Sequence, residues 1–290
     1  MIVSIGEVDY AADEDDMSLA GISFANGQYP AYYTSVPGVG YGNIAASFAK
    51  PFMNKIKLNA NVNKVNYQNS DKSVITYVED GVTKQVTARA ALVTVSLGVL
   101  KAKKINFTPR LPNSKLNAIN NMGFGTLNKC IMQWNDKNDE VWPDKPWFHL
   151  ITPTDETSGK WTTFWNPSKW KGVPTLVGWI GGDEAKEVEK QTDEQILSDV
   201  MKNLRLMWPD IKQPDRVIIT RWGQNPYTVG TYSYTPVGRS HSTDSRNLRR
   251  KVGNVYWAGE ASSSSWQACV VGGWESGEKA AREILQDLRR

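Results

Sequence analysis

The chain has 290 residues, 40% hydrophobic and 22% charged, which suits one large or two ordinary globular domains with a sizeable core and excludes a disordered chain. A net charge of +4 spread along the sequence, two cysteines (Cys130, Cys269) and two isolated histidines (His149, His241) leave no basic stripe for nucleic acid, no disulfide framework and no metal cluster. No apolar run approaches a membrane span and Met1 does not open a signal peptide, so no membrane partner is expected and the cytoplasm is the default compartment.

In chain order, GVGYGN at 38–43 approaches the dinucleotide fingerprint, but Asn43 stands where the third glycine is needed and AYYTSVP before it is a poor strand. KIKLNANVNKVNY, SVITYVED and KQVTARAALVTVS carry β-branched residues in partial alternation, and EDG predicts a hairpin between the last two. NSKLNAINNM predicts a short helix capped by Asn113 or Ser114. GFGTLN at 123–128 leads into a strand, which removes it as a phosphate loop. KCIMQW, TLVGWIGG and RVIITRWG read as strands, and seven of the twelve tryptophans fall between Trp134 and Trp179, as an aromatic-lined cavity or a well-packed sheet would require. TDEQILSDVMKNLRLMW is the best helix: Thr192 and Gln195 form a capping box ahead of an apolar stripe of Ile196, Val200, Leu204 and Met207. The last helix is expected from about Gly273 to Leu288, burying Ala280, Ala281, Ile284 and Leu288. The expected class is mixed α/β, with strands from distant parts of the chain sharing sheets.

The stretch NVYWAGEASSSSWQACVVGGWESGEKAAREIL, 254–285, reads as strand, small-residue turn, glycine pair and amphipathic helix, which together present backbone N–H groups and a helix dipole to an anion. Within it GGWESGEK has P-loop glycine spacing, but Glu278 follows where Lys-Ser/Thr is required. No G-x-S-x-G elbow points to a hydrolase nucleophile.

Three segments taken together are more specific: MGFGTLNKCIMQW with Lys129 among apolar neighbours, RWGQNPYTVGTYSYTPVG with its aromatics around Gly230, and YWAGEASSSSWQACVVGGWESGEKAA. Their order and spacing resemble the C-terminal part of FAD-dependent amine oxidases, in the branch of polyamine oxidases, spermine oxidases and flavin-dependent histone demethylases. ALVTVSLGVLKAKKINFTPRLPNSKLNAI and VNKVNY resemble further signatures of that family, so the likeness spans essentially the whole chain.

The resemblance implies a two-domain fold, with 38–105 and 240–290 forming a partial FAD-binding domain and 1–37 and 106–239 a substrate domain. It implies non-covalent FAD, because Thr231 stands where covalent-flavin relatives have Cys. By similarity Gly259 and Glu260 approach the ribityl and pyrophosphate, Val270, Val271 and Gly272 lie at the flavin and phosphates, the Val62 backbone meets the adenine, and Trp222 packs beside the isoalloxazine. Lys129 is implied to hold a water near flavin N5, Tyr232 to wall the substrate site, and Trp266 and Cys269 to stand on its substrate side. The implied chemistry removes a hydride from the carbon beside a neutral amine, with O2 as oxidant and hydrogen peroxide as product.

Departures from the family pattern qualify this reading. Cys269 replaces Tyr or Thr, Val271 replaces a common His, and Ala268 a frequent Gly or Ser, making the substrate side less polar. The acidic run at 13–16 reads as a solvated loop, or as a contact for an amine nitrogen. The family's opening G-x-G-x-x-G unit has no counterpart here, so a truncated form, a separate N-terminal FAD-binding half or a non-catalytic descendant are the expectations, and this chain alone is expected to hold FAD weakly. An amino-acid oxidase would need an arginine clamp, for which Arg221 and Arg239 are the candidates.

Overall fold

A computed structural model describes residues 11–18, 40–151 and 160–289. Gly38, at the start of the fingerprint-like stretch, and most of the expected 1–37 segment lie outside the described residues.

Helix α1 (Tyr41–Ala49) starts on Gly40 and continues into a 3₁₀ turn at Lys50–Lys55. Strands β1 (Ala60–Asn66), β2 (Ser73–Glu79) and β3 (Val82–Ala88) follow as an antiparallel meander. Asp80 and Gly81 take φ of 51° and 77°, the two left-handed positions of a tight hairpin turn, so the EDG expectation holds. The run KQVTARAALVTVS is not one strand: after β3 it restarts as β4 (Ala91–Val93), which leaves the meander to pair elsewhere. Helix α2 (Leu97–Lys101), β5 (Asn106–Thr108) and helix α3 (Asn113–Asn121) complete this stretch. The cap of α3 is Pro112, whose carbonyl accepts from the Lys115 and Leu116 N–H groups; the Asn113 side chain is engaged by Arg110 instead.

The chain goes on through β6 (Gly123–Phe124), β7 (Leu127–Gln133), β8 (Trp147–His149), β9 (Thr163–Trp165), α4 (Ser168–Lys171), β10 (Thr175–Gly181), α5 (Gly182–Val188), α6 (Asp193–Met207), β11 (Arg216–Ile219) and β12 (Ser233–Tyr234). It ends with α7 (His241–Arg249), β13 (Val255–Trp257) and α8 (Val270–Leu288).

Two compact units result: Met1–Leu19 with Gly123–Gly238, and Ala20–Met122 with Arg239–Arg290. The break after Met122, not at the expected 105/106, follows from pairing: β5 joins β1 in parallel, and α3 packs on α7.

Among the described residues of the first unit, one antiparallel sheet runs in the order β11-β7-β10-β9-β8. Because strand side chains alternate, Cys130, Met132, Leu176, Ile180 and Phe164 share one face, and the α6 stripe of Ile196, Val200, Met201 and Leu204 buries against them in a single core. Each of those side chains adds about 1.5–3 kcal/mol of burial. The α6 capping box forms as read, with the Gln195 N–H donating to Thr192 Oγ1 and the Thr192 N–H to Gln195 Oε1. Several tryptophans fill this sheet's surroundings, Trp134 and Trp161 being fully buried.

In the second unit β13 pairs β4 in parallel and α8 packs on β13. Helix α8 begins three residues earlier than expected, at Val270, and its buried stripe is Gly272, Ser276 and Ala280; Ala281 is exposed, because the small residues at four-residue spacing let the helix approach closely.

Candidate functional site

The expected site residues fall into two groups, one in each unit. In the first, Lys129 sits mid-strand on β7, on the sheet face opposite the core, in a register row with Trp179 of β10, Thr163 of β9 and His149 of β8. Its ammonium nitrogen lies 4.2 Å from the centroid of the Trp179 ring, and burial holds its pKa below the usual lysine value. Its neighbour Cys130 points into the core, where burial pushes the thiol up to about 12 and keeps it inert.

Tyr232 packs with Trp179 against Ala11 and Leu127, so it shares one patch with the lysine. Gly230 allows this: it has φ of 126°, and a Cβ there would stand 2.6 Å from the Phe124 ring. The Thr231 hydroxyl accepts from the Leu127 N–H at 2.8 Å and donates to the Leu127 carbonyl, tying this loop to the base of β7.

Trp222 is 39% exposed while its backbone is held on both sides. Its N–H donates to Asn128 Oδ1 (3.1 Å), and its carbonyl accepts from the Gly230 N–H and the Thr228 hydroxyl. Asn128 is fully buried, and its amide donates to Glu189 Oε1 (2.8 Å). Neither residue stands out in the sequence: Asn128 falls inside the GFGTLN motif, and Glu189 carries no local signal.

Arg221 donates to the Gln191 carbonyl and pairs with Asp193 at 2.7 Å, and Arg239 is exposed. In the acidic run, the Asp13 carboxylate accepts from the Asp183 N–H in the first turn of α5, while Asp15 and Asp16 are exposed.

In the second unit Gly259 follows β13 with φ of 134°, a conformation reserved for glycine, and nothing stands within 4 Å of where its Cβ would be. Ser276 of α8 pins it, accepting from its N–H and donating to its carbonyl. Glu260 accepts from the Ala268 N–H, closing the turn that carries Trp266 and Cys269, both half-buried. Cys269 is the N-cap of the 19-residue helix α8 and makes no side-chain capping bond to its first turn. Val270 and Val271 beside it are 70% and 49% exposed. The two glycines of the pair differ. A Cβ on Gly272 would meet the Trp266 carbonyl at 1.9 Å, whereas one on Gly273 would meet nothing within 4 Å. On β1, the register shifts between Val62 and Lys64, which unpairs local backbone as a bulge does.

An uncapped helix start, an open glycine before it and exposed valines fit the anionic and planar parts of a flavin dinucleotide. Among the described residues no His/Cys/Asp/Glu group is placed to hold a metal ion, and no helix is long and apolar enough to cross a membrane.

Residues 10–285 match the family model for flavin containing amine oxidoreductases. The chain is 35% identical over 285 residues to "Polyamine oxidase 4" of Oryza sativa subsp. japonica, covering 97% of this chain and 55% of that protein. It is 32% identical over 249 residues to "Histone demethylase-like protein A" of Aspergillus fumigatus, covering 80% of this chain and 23% of that protein. Its fold is similar to cyclohexylamine oxidase from Brevibacterium oxydans, with a TM-score of 0.73 at 20% identity, over 100% of this chain and 64% of that one. The chain thus spans about half the length of the curated polyamine oxidase it matches.

Proposed function

The chain belongs to the family of flavin containing amine oxidoreductases, whose cofactor is FAD, and from that premise we propose that it serves the oxidation of a polyamine or related secondary amine. When bound, non-covalent FAD supplies a two-electron acceptor for the hydride on the carbon next to the amine, and O2 takes the electrons on to hydrogen peroxide. Gly259, Glu260, Val270, Val271 and Gly272 hold the cofactor from the start of α8, the Val62 backbone meets its adenine, and Trp222 flanks its ring system.

The observation that carries the reading is Lys129, desolvated on a sheet face and lying on Trp179. A lysine with a depressed pKa has a larger neutral fraction than a solvated one, and a neutral amine orients a water and takes up a proton. In this reading Tyr232, packed with Trp179 on the same patch, offers its ring to a substrate nitrogen. Trp266 and Cys269 border the substrate from the α8 side. Hydrolysis of the product imine needs only water, which in this reading Lys129 holds.

A half carrying the G-x-G-x-x-G unit, on the same polypeptide or another chain, completes the FAD site in this reading. Exposed Val270, Val271 and Trp274, with the ring of Phe48 of α1 tilted against Trp274 at 4.6 Å, support such a seat. The test is flavin absorbance and peroxide release from spermine, measured for this chain alone and for a protein that includes the G-x-G-x-x-G half. Flavin binding and peroxide only in the second support the reading; neither in either sinks it.

A further inference from the structure

We infer that Glu189 is a positioning residue: through Asn128 it holds the Trp222 turn and the Lys129 strand in one fixed relation. Glu189 is 7% exposed and follows α5, far in sequence from both groups it links. Its Oε1 accepts two bonds, from Asn128 Nδ2 at 2.8 Å and from the Gly223 N–H at 2.7 Å. The Glu189 backbone carbonyl accepts a third, from Gln224 Nε2 at 2.6 Å.

Asn128 passes the restraint on. Its Oδ1 accepts from the Trp222 N–H at 3.1 Å and from the Thr220 hydroxyl at 3.2 Å. That same hydroxyl accepts from the Lys129 N–H at 2.8 Å, and the Thr220 N–H donates to the Lys129 carbonyl. The path from Glu189 to Trp222 and to Lys129 therefore runs through direct hydrogen bonds at every step. Arg221 is tied to the same stretch through the Gln191 carbonyl, so each residue from Thr220 to Gln224 is anchored.

The packing shows that this is a built arrangement. A Cβ on Gly223 would stand 2.7 Å from Glu189 Oε2, so glycine is needed for the turn to close on the carboxylate. Without Glu189, the half-buried Gly223 N–H loses its acceptor and the buried Asn128 amide keeps only a 3.3 Å bond to the Ala185 carbonyl, and a donor left unsatisfied away from water is expensive. A turn that finds no acceptor inside opens to water. The functional sense of the inference rests on the reading that Trp222 and Lys129 serve the flavin; the geometric claim does not.

Hydrogen exchange on the flavin-free chain tests it, with peptides covering 220–225 compared with peptides covering α6. In Glu189→Ala the 220–225 amides should exchange at least tenfold faster while α6 amides keep their rates, and Glu189→Gln, which retains an acceptor oxygen at the same reach, should restore protection. Unchanged 220–225 exchange in Glu189→Ala overturns the inference, as does equal acceleration of α6, which would make Glu189 a general stability residue. If Glu189→Ala fails to fold, Gly223→Ala applies the same criterion by pushing the carboxylate away. Because none of these readouts uses flavin, their failure is separable from failure of the amine oxidase reading.

Discussion

Lys129 and Trp179 are partners across the β7–β10 ladder, with the ammonium nitrogen 4.2 Å from the indole centroid. Two residues fifty positions apart thereby form a contact that neither strand specifies alone. The tryptophan face both desolvates the lysine and attracts its charged form, and burial is the larger influence on its pKa.

Lys129→Met should keep the fold, since methionine fills a similar volume on the same face, and should lower peroxide release from spermine by about 10²-fold, within the usual range for loss of an acid–base group. The check is steady-state turnover in the protein that includes the G-x-G-x-x-G half. Because burial lowers the pKa of Lys129, the rate limb it governs should lie below the ordinary lysine value of 10.5, with activity rising as the amine loses its proton.

The two α8 glycines should respond in opposite ways. Gly272→Ala collides with the Trp266 carbonyl and should destabilise the chain by about 1–3 kcal/mol. Gly273→Ala enters open space within a helix and should stabilise it by about 0.5–1 kcal/mol. Urea midpoints at constant slope distinguish them.

Lys115 is 1% exposed, donates to the Leu248 carbonyl and lies 4.2 Å from the Trp257 ring, and burial lowers its pKa to about 7. Between about 7 and the ordinary lysine value of 10.5 the unfolded chain binds the extra proton. Stability should therefore rise with pH across that window, by at most about 1.4 kcal/mol per unit, and the gain should be absent below it. Thermal midpoints of Lys115→Met, measured from pH 6 to pH 10, should lose this slope relative to the parent chain.

The core should dominate over the cap. Leu204→Ala removes a fully buried side chain between α6 and the sheet and should cost about 2–5 kcal/mol. Thr192→Ala deletes the side-chain half of the capping box and should cost about 1 kcal/mol. Denaturant curves for the two variants give the ratio directly.

The sequence by itself determined what neighbouring residues settle among themselves. The Thr192–Gln195 box, the Asp80–Gly81 turn and the β7 and β10 strands all rest on hydrogen bonds or alternation within a few residues, and the order of motifs sufficed to mark the family. Tertiary structure alone decided which residues meet. The break between β3 and β4 goes with the pairing of β4 to β13, a parallel partner more than 160 residues on. Gly272 and Gly273 are neighbours on one helix, yet one is closed by the Trp266 carbonyl and the other is open. Glu189 reads as one more charge in a helical run until Asn128 and Gly223 reach it from 61 and 34 residues away. Such contacts depend on sheet register and helix packing, which are set by the burial of whole faces and not by any local pattern.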